Sequence, residues 1–197
     1  MLPIALILLR VKLTHEIYLL FLIWNLFLAY IPCLLSSKIK TTVPNTLSFY
    51  LILLSWLLFL PNTFYLITDF IHLRHINSQQ YTFDIVLLSS FTIAGFYAGL
   101  LSLKDIHLLL QMKYNRQKCW SIISCIIYLS AFAIYLGRIL RFNSWDILSN
   151  PISLLYYSSK SIFNFDTVLF TITFGSFLWL VYNIFFYLTN KTIIKSW

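Results

Sequence analysis

Five apolar runs, at about 17–35, 47–71, 85–103, 120–141 and 166–188, constrain what this chain can fold into. Each is close to the roughly 20 residues a helix needs to cross about 30 Å of hydrocarbon. Lipid offers a bare backbone no hydrogen bonds, so such runs must close their own N–H and C=O groups as helices. The expected fold is an all-α membrane protein, one domain over residues 1–197, built as a bundle of five transmembrane helices with short interfacial helices. Residues 3–13 are too short to span and read first as an interfacial helix, with a tilted sixth crossing as the alternative. The opening MLPIALILLRVKL carries its basic residues after a short apolar stretch and lacks a small-residue cleavage pattern, unlike a secretory signal.

Composition decides the class of partner. The chain is 60% hydrophobic and only 10% charged, where a soluble domain carries about 25% charged residues, and its mean hydropathy is +0.82. The partner is the lipid bilayer. A formal charge of +8 would suit nucleic acid if it were gathered on one face. The basic residues are instead scattered in ones and twos between apolar runs, which excludes a nucleic-acid binder. Cys33, Cys119 and Cys125 form no CxxC pair, so neither a disulfide framework nor a zinc site is signalled.

The second run continues through Pro61, because stopping at Leu60 would leave about 14 residues, roughly 21 Å, short of a span. Pro61 then kinks the helix, and Asp69 and His72 fall at the far boundary. Ser48, Ser55, Asn62 and Asp69 recur every seven residues with Tyr65 and His72 near the same line, which predicts a polar helix face. In the third run Ser90, Ala94, Ala98 and Ser102, with Gly95 and Gly99 beside them, form a small-residue face that lets another helix approach closely. Residues 104–118 read as an interfacial helix and loop, and His15 and His107 as ordinary interfacial residues. Residues 147–165 read as a long loop or a helix lying in the interface.

If the crossings alternate, Lys38, Lys40, Lys104, Lys113, Arg116, Lys118, Lys191 and Lys195 share a side against Arg10, Lys12, Arg74, Arg138, Arg141 and Lys160. That bias puts the C-terminus in the cytoplasm. It also brings Asp69 and His72, which end the second crossing, to the same outer boundary as Arg138 and Arg141, which end the fourth. Each pair is spaced i, i+3 and should share a helix face. Unpaired charges there are costly, so the expectation is one outer cluster of Asp69, His72, Arg138, Arg141 and Asp146, with Asn62, Tyr65 and Asn143 as further ligand-binding candidates. On this reading Asp84 is an interfacial charge whose loss matters less than that of Asp69. Asp69, His72 and His75 do not make a metal site, since His75 lies about 120° from Asp69 and Arg74 adds positive charge. No phosphate loop, HExxH or nucleophile elbow occurs, and no cofactor is implied.

PNTFYLITDFIHL (61–73), YTFD (81–84), GFYAGLLSL (95–103) and YLGRILRFNSWD (135–146) together resemble a family of bacterial membrane proteins catalogued as domain of unknown function 1361. The match runs from about residue 47 through 146 and on toward the last crossing. Where the family pattern often has a proline before the tyrosine, this chain has Phe64. The resemblance implies a bacterial cytoplasmic-membrane protein and no particular activity.

Three functions fit the polar cluster. A binder of an anionic lipid head group or envelope component needs the cluster open laterally to lipid. A membrane-embedded enzyme acting on a phospholipid or polyprenyl-phosphate head group would use Asp69 and His72 as acid and base, with Arg138 and Arg141 holding phosphate. A small transporter needs acids deep in several helices, whereas Asp84, Asp146 and Asp166 stand at helix ends. The binder is the leading expectation and the enzyme the alternative to it. A purely structural ion cluster remains the competing account of the same residues.

Overall fold

The computed structural model describes residues 2–75, 81–142 and 149–194, all of it helix and connecting turns with no strand among those residues. The helices are α1 (Leu2–Thr14), α2 (Phe21–Thr41, entered through a 3-10 turn at Tyr18–Leu20), α3 (Leu47–Tyr65, continued by a 3-10 segment at Leu66–His75), α4 (Tyr81–Gln111), α5 (Arg116–Arg138), α6 (Pro151–Ile162) and α7 (Phe165–Ile194). Among the described residues, five stretches are long and apolar enough to cross a membrane: Tyr18–Thr41, Leu47–Leu73, Tyr81–Gln111, Arg116–Arg138 and Phe165–Asn190. The expected all-α membrane fold with five crossings is what the chain adopts, and α1 is not among the spans.

Several helix limits differ from the expected ones. The first crossing runs to Thr41 rather than 35, and α4 continues unbroken to Gln111 where a separate interfacial helix and loop were expected over 104–118. α5 starts at Arg116, capped by Asn115, whose Oδ1 accepts from the Lys118 backbone N–H at 2.9 Å, and it stops at Arg138 rather than 141. The first charged residues mark where hydrocarbon ends, and a helix capped by its own side chains carries on beyond that boundary.

The chain forms two compact units, Met1–Ser102 and Leu103–Trp197. In the first, Ile7, Leu19, Leu22, Leu26, Ala29, Leu66, Leu87, Leu88 and Phe91 make a single core. α1 joins it through Pro3, Ile7 and Arg10, one face at i, i+4, i+7 spacing. The α3–α4 contact is set by glycine. A Cβ added at Gly95 would overlap the Leu66 side chain and lie 3.1 Å from Thr63 O, and one at Gly99 would overlap Thr63 Oγ1 and lie 2.7 Å from its Cβ. The small-residue face of the third crossing therefore lies against α3, as expected.

The seven-residue polar line of α3 is not its inner face. α3 buries Trp56, Leu60, Thr63 and Phe64 instead. Ser48 is exposed, Ser55 Oγ donates to Leu51 O at 2.9 Å, and Asn62 Nδ2 donates to Phe59 O at 3.1 Å. Side chains that turn back onto their own helix carbonyls need no neighbouring helix, so their spacing did not report burial.

In the second unit α5 and α7 run antiparallel. Tyr128 OH and Ser176 Oγ lie 3.0 Å apart, and Trp179 Nε1 donates to Ser124 Oγ at 3.0 Å. Gly175 lets the Tyr128 ring approach: a Cβ there would lie 2.8 Å from Tyr128 Cε1. α5 buries Cys119, Ile123, Ile127, Ser130, Ala131, Ile134 and Tyr135.

Candidate functional site

At one end of the first unit, where α1 stops, α2 begins, the 3-10 segment closes and α4 starts, polar groups from four elements are held in pairs. A 3-10 helix repeats every three residues, so Leu66, Asp69 and His72 fall in one line. Leu66 and Asp69 are fully buried along it. Asp69 Oδ2 accepts from Asn25 Nδ2 at 3.0 Å, and His72 Nδ1 lies 2.8 Å from Tyr18 OH, with the imidazole edge-on to the Phe21 ring at 4.9 Å.

Beside them is an ion pair that the sequence reading missed. Arg10 Nε donates to Asp84 Oδ1 at 2.7 Å and Nη2 to Asp84 Oδ2 at 3.2 Å, a two-pronged match of guanidinium to carboxylate. Their side chains are 2% and 0% exposed. Asp84 is thus a buried partner and not an interfacial charge. Glu16 Oε2 adds a third contact to Arg10 Nη2 at 3.3 Å. The turn that brings it back is made by His15 at φ 56°, whose N–H bonds Val11 O at 2.9 Å, a left-handed helix cap. Burial alone would lower the Arg10 pKa, but hydrogen bonds and charge from Asp84, then Glu16, outweigh it and hold the guanidinium above its ordinary value.

Arg138 and Arg141 lie in the second unit. Arg138 is half-buried as the last residue of α5, whereas Arg141 is exposed beyond the helix with a left-handed φ of 60°. The shared helix face expected from their i, i+3 spacing does not form, because the helix has ended between them. Phe142 N–H returns to Leu136 O at 3.2 Å, and the Phe142 ring lies 5.9 Å from Tyr157 of α6. α6 has three faces at about 100° per residue. Leu154, Ser158 and Ser161 are its less exposed side, Ser153 and Lys160 form a polar side, and Ile152, Leu155, Tyr156 and Ile162 form an exposed apolar side. A helix divided this way between protein, water and an apolar medium suits a membrane interface.

Of the remaining expected site residues, two are described. Asn62 and Tyr65 are half-buried, Asn62 bonded to its own helix and the Tyr65 carbonyl accepting from Thr68 Oγ1 at 2.6 Å. Asn143 and Asp146 lie outside the described residues. Among the described residues no three His, Cys, Asp or Glu side chains come together as a metal site would need.

His107 differs most from its expected role. It is fully buried in the second unit, its Nδ1 2.8 Å from Tyr182 OH and its ring stacked on Phe186 at 4.3 Å with Trp120 edge-on at 4.7 Å. The signals for these missed groups were modest but present. A lone Asn25 inside an apolar crossing and a lone Arg10 at helical spacing from Ile7 each demand a partner. The identity of those partners depends on tertiary structure.

Five apolar helices, with polar side chains paired at their ends, define a multi-pass, membrane-embedded helical protein. The family model described as "Protein of unknown function (DUF1361)" matches residues 24–181, and the chain belongs to that family. No curated protein and no solved structure matches the chain.

Proposed function

We propose that this is a multi-pass protein of the bacterial cytoplasmic membrane, its C-terminus inside, that binds an anionic lipid head group or a phosphorylated envelope component at its outer boundary. Arg141 and Arg138 at the end of α5 supply the guanidinium groups, with Lys160 on the polar side of α6 as a further cation. The observation that carries this reading is the Arg141 backbone. A left-handed φ costs a non-glycine residue roughly 1–2 kcal/mol, and this one holds an exposed guanidinium at the end of a crossing, next in sequence to a ring packed on an interfacial helix. Strain of this kind is kept where a side chain is used. Asp69 and His72 are held by Asn25 and Tyr18, which supports a structural role for them in this reading.

The test is mass spectrometry of lipids that co-purify with the detergent-extracted protein, wild type against Arg141→Gln and Arg138→Gln. Anionic lipid should be depleted in the variants, Arg141→Gln first, while zwitterionic lipid is unchanged. Equal lipid content in all three proteins would sink the proposal and leave the arginines as a structural feature.

A further inference from the structure

Along one side of α5, Arg116, Gln117, Trp120, Ser121 and Ser124 line an open groove of about 600 Å³. At about 100° per residue these five cover an arc of roughly 140°, beside the helix face that packs in the unit's interior. The groove begins at the first residue of α5 and follows it for eight residues, about 12 Å, down the spanning helix.

Its chemistry changes with depth. The mouth is cationic: Arg116 is exposed, and the Lys118 and Lys113 ammonium groups stand 4.4 and 5.6 Å from the Tyr114 ring centre, which gathers them at the same end. Among the described residues none of the three cations is in an ion pair. Next along the helix comes the Gln117 amide. Below it, the Trp120 ring sits edge-on to His107 and, at 5.4 Å, to Phe186, and beyond the ring Ser121 Oγ donates to Gln117 O at 3.1 Å while Ser124 Oγ accepts from the Trp179 indole N–H. The wall is therefore firm, since His107 is itself fixed by Tyr182.

We propose that this groove seats one anionic phospholipid from the leaflet at the α4–α5 end, a site separate from that of Arg141. The phosphate lies against Arg116, an ester carbonyl meets the Gln117 amide, and an acyl chain runs along Trp120. Cation, hydrogen-bonding group and apolar wall follow one another along a single helix in the order in which a phospholipid presents phosphate, ester and chain. A soluble anion would use the mouth alone and leave the lower wall facing lipid.

The test reconstitutes the full-length protein in nanodiscs of phosphatidylcholine carrying an equal fraction of either brominated phosphatidylglycerol or brominated phosphatidylcholine. Bromine on the acyl chain quenches the tryptophan it touches. Wild type should show excess quenching by the anionic lipid, and the part of that excess that Trp120→Phe removes is the part assigned to this groove among the six tryptophans. Arg116→Gln removes an exposed side chain, so the protein should fold, and that part should fall roughly fivefold. The Trp120-dependent part should not need Arg141, so in Arg141→Gln the Trp120→Phe difference should be as large as in wild type. An excess that Trp120→Phe does not reduce, or a Trp120-dependent excess that survives Arg116→Gln, would overturn the site. Failure here leaves the outer-boundary reading intact, because that reading depends on Arg141 and is read by co-purified lipid.

Discussion

Arg10 and Asp84 are 74 positions apart and bury each other almost completely. Charges taken out of water are tolerable only while the pair is intact, and removing one partner of such a pair typically costs about 3–5 kcal/mol. Asp84→Asn should therefore lower unfolding stability in detergent by about 3 kcal/mol, and Arg10→Met combined with Asp84→Leu should recover most of the loss. Unchanged stability of Asp84→Asn would show that the pair is dispensable. Asp69→Asn should cost less, since the Asn25 amide can still donate to the new side-chain oxygen, which reverses the order expected from the sequence. The pH dependence has a definite sign. A group whose folded pKa is raised contributes its full stabilisation below its unfolded pKa and loses it only as pH climbs through the folded one. The raised Arg10 pKa thus keeps this pair's stabilisation through the mildly alkaline range, and unfolding midpoints at pH 7 and pH 9 should show no loss attributable to Arg10. That Arg10 needed a partner was legible in the sequence, while which of the acids it would meet was not, because the answer lies in how α1 docks on α2 and α4.

Helices were legible where hydrocarbon demands them and less so where they leave it. Lys104 and Asp105 announce a membrane boundary, yet α4 passes through them to Gln111 and buries His107 on the far side. Beyond Tyr65 the helix tightens to 3-10 geometry, which changes the repeat from about 3.6 to 3 and brings Asp69 and His72 into line by a different rule from the one the seven-residue spacing suggested. The glycine face was read correctly because close helix approach needs small residues at four-residue steps and little else. Its consequence can be measured. A Cβ at Gly99 meets the Thr63 side chain, so Gly99→Ala should destabilise by about 1–3 kcal/mol through overpacking, and Gly99→Leu should sharply reduce the folded yield. Thr63→Ala should rescue much of the Gly99→Ala loss, because it removes the atoms in the way. If Gly99→Leu matches wild type in yield and melting temperature, the close approach of α3 and α4 is wrong.

Across the whole chain, the helix lengths and the basic residues bear on the same question, which side of the membrane each end occupies. α4 has 31 residues, about 46 Å at 1.5 Å per residue against roughly 30 Å of hydrocarbon, so part of it must project. If the buried Asp84 marks one boundary, about 20 residues later the other falls near Lys104, and the overhang points toward Lys113, Arg116 and Lys118. The same reasoning applied to α7, with Asp166 in its first turn, places Lys191 beyond that same boundary. Eight basic residues then belong to the side of the overhangs and six to the other, and of those six Arg10 is already committed to carboxylates inside the first unit. The proposed orientation applies the rule that cytoplasmic segments carry the excess of Lys and Arg, with the overhang side in the cytoplasm. A reporter active only outside the cytoplasm should therefore be silent when fused after Trp197 and active when inserted after Asn150, between α5 and α6. The reciprocal pattern, active after Trp197 and silent after Asn150, would invert the molecule. It would move Arg141 and α6 to the inner leaflet and the Arg116 groove to the outer one, while leaving every contact within each unit unchanged.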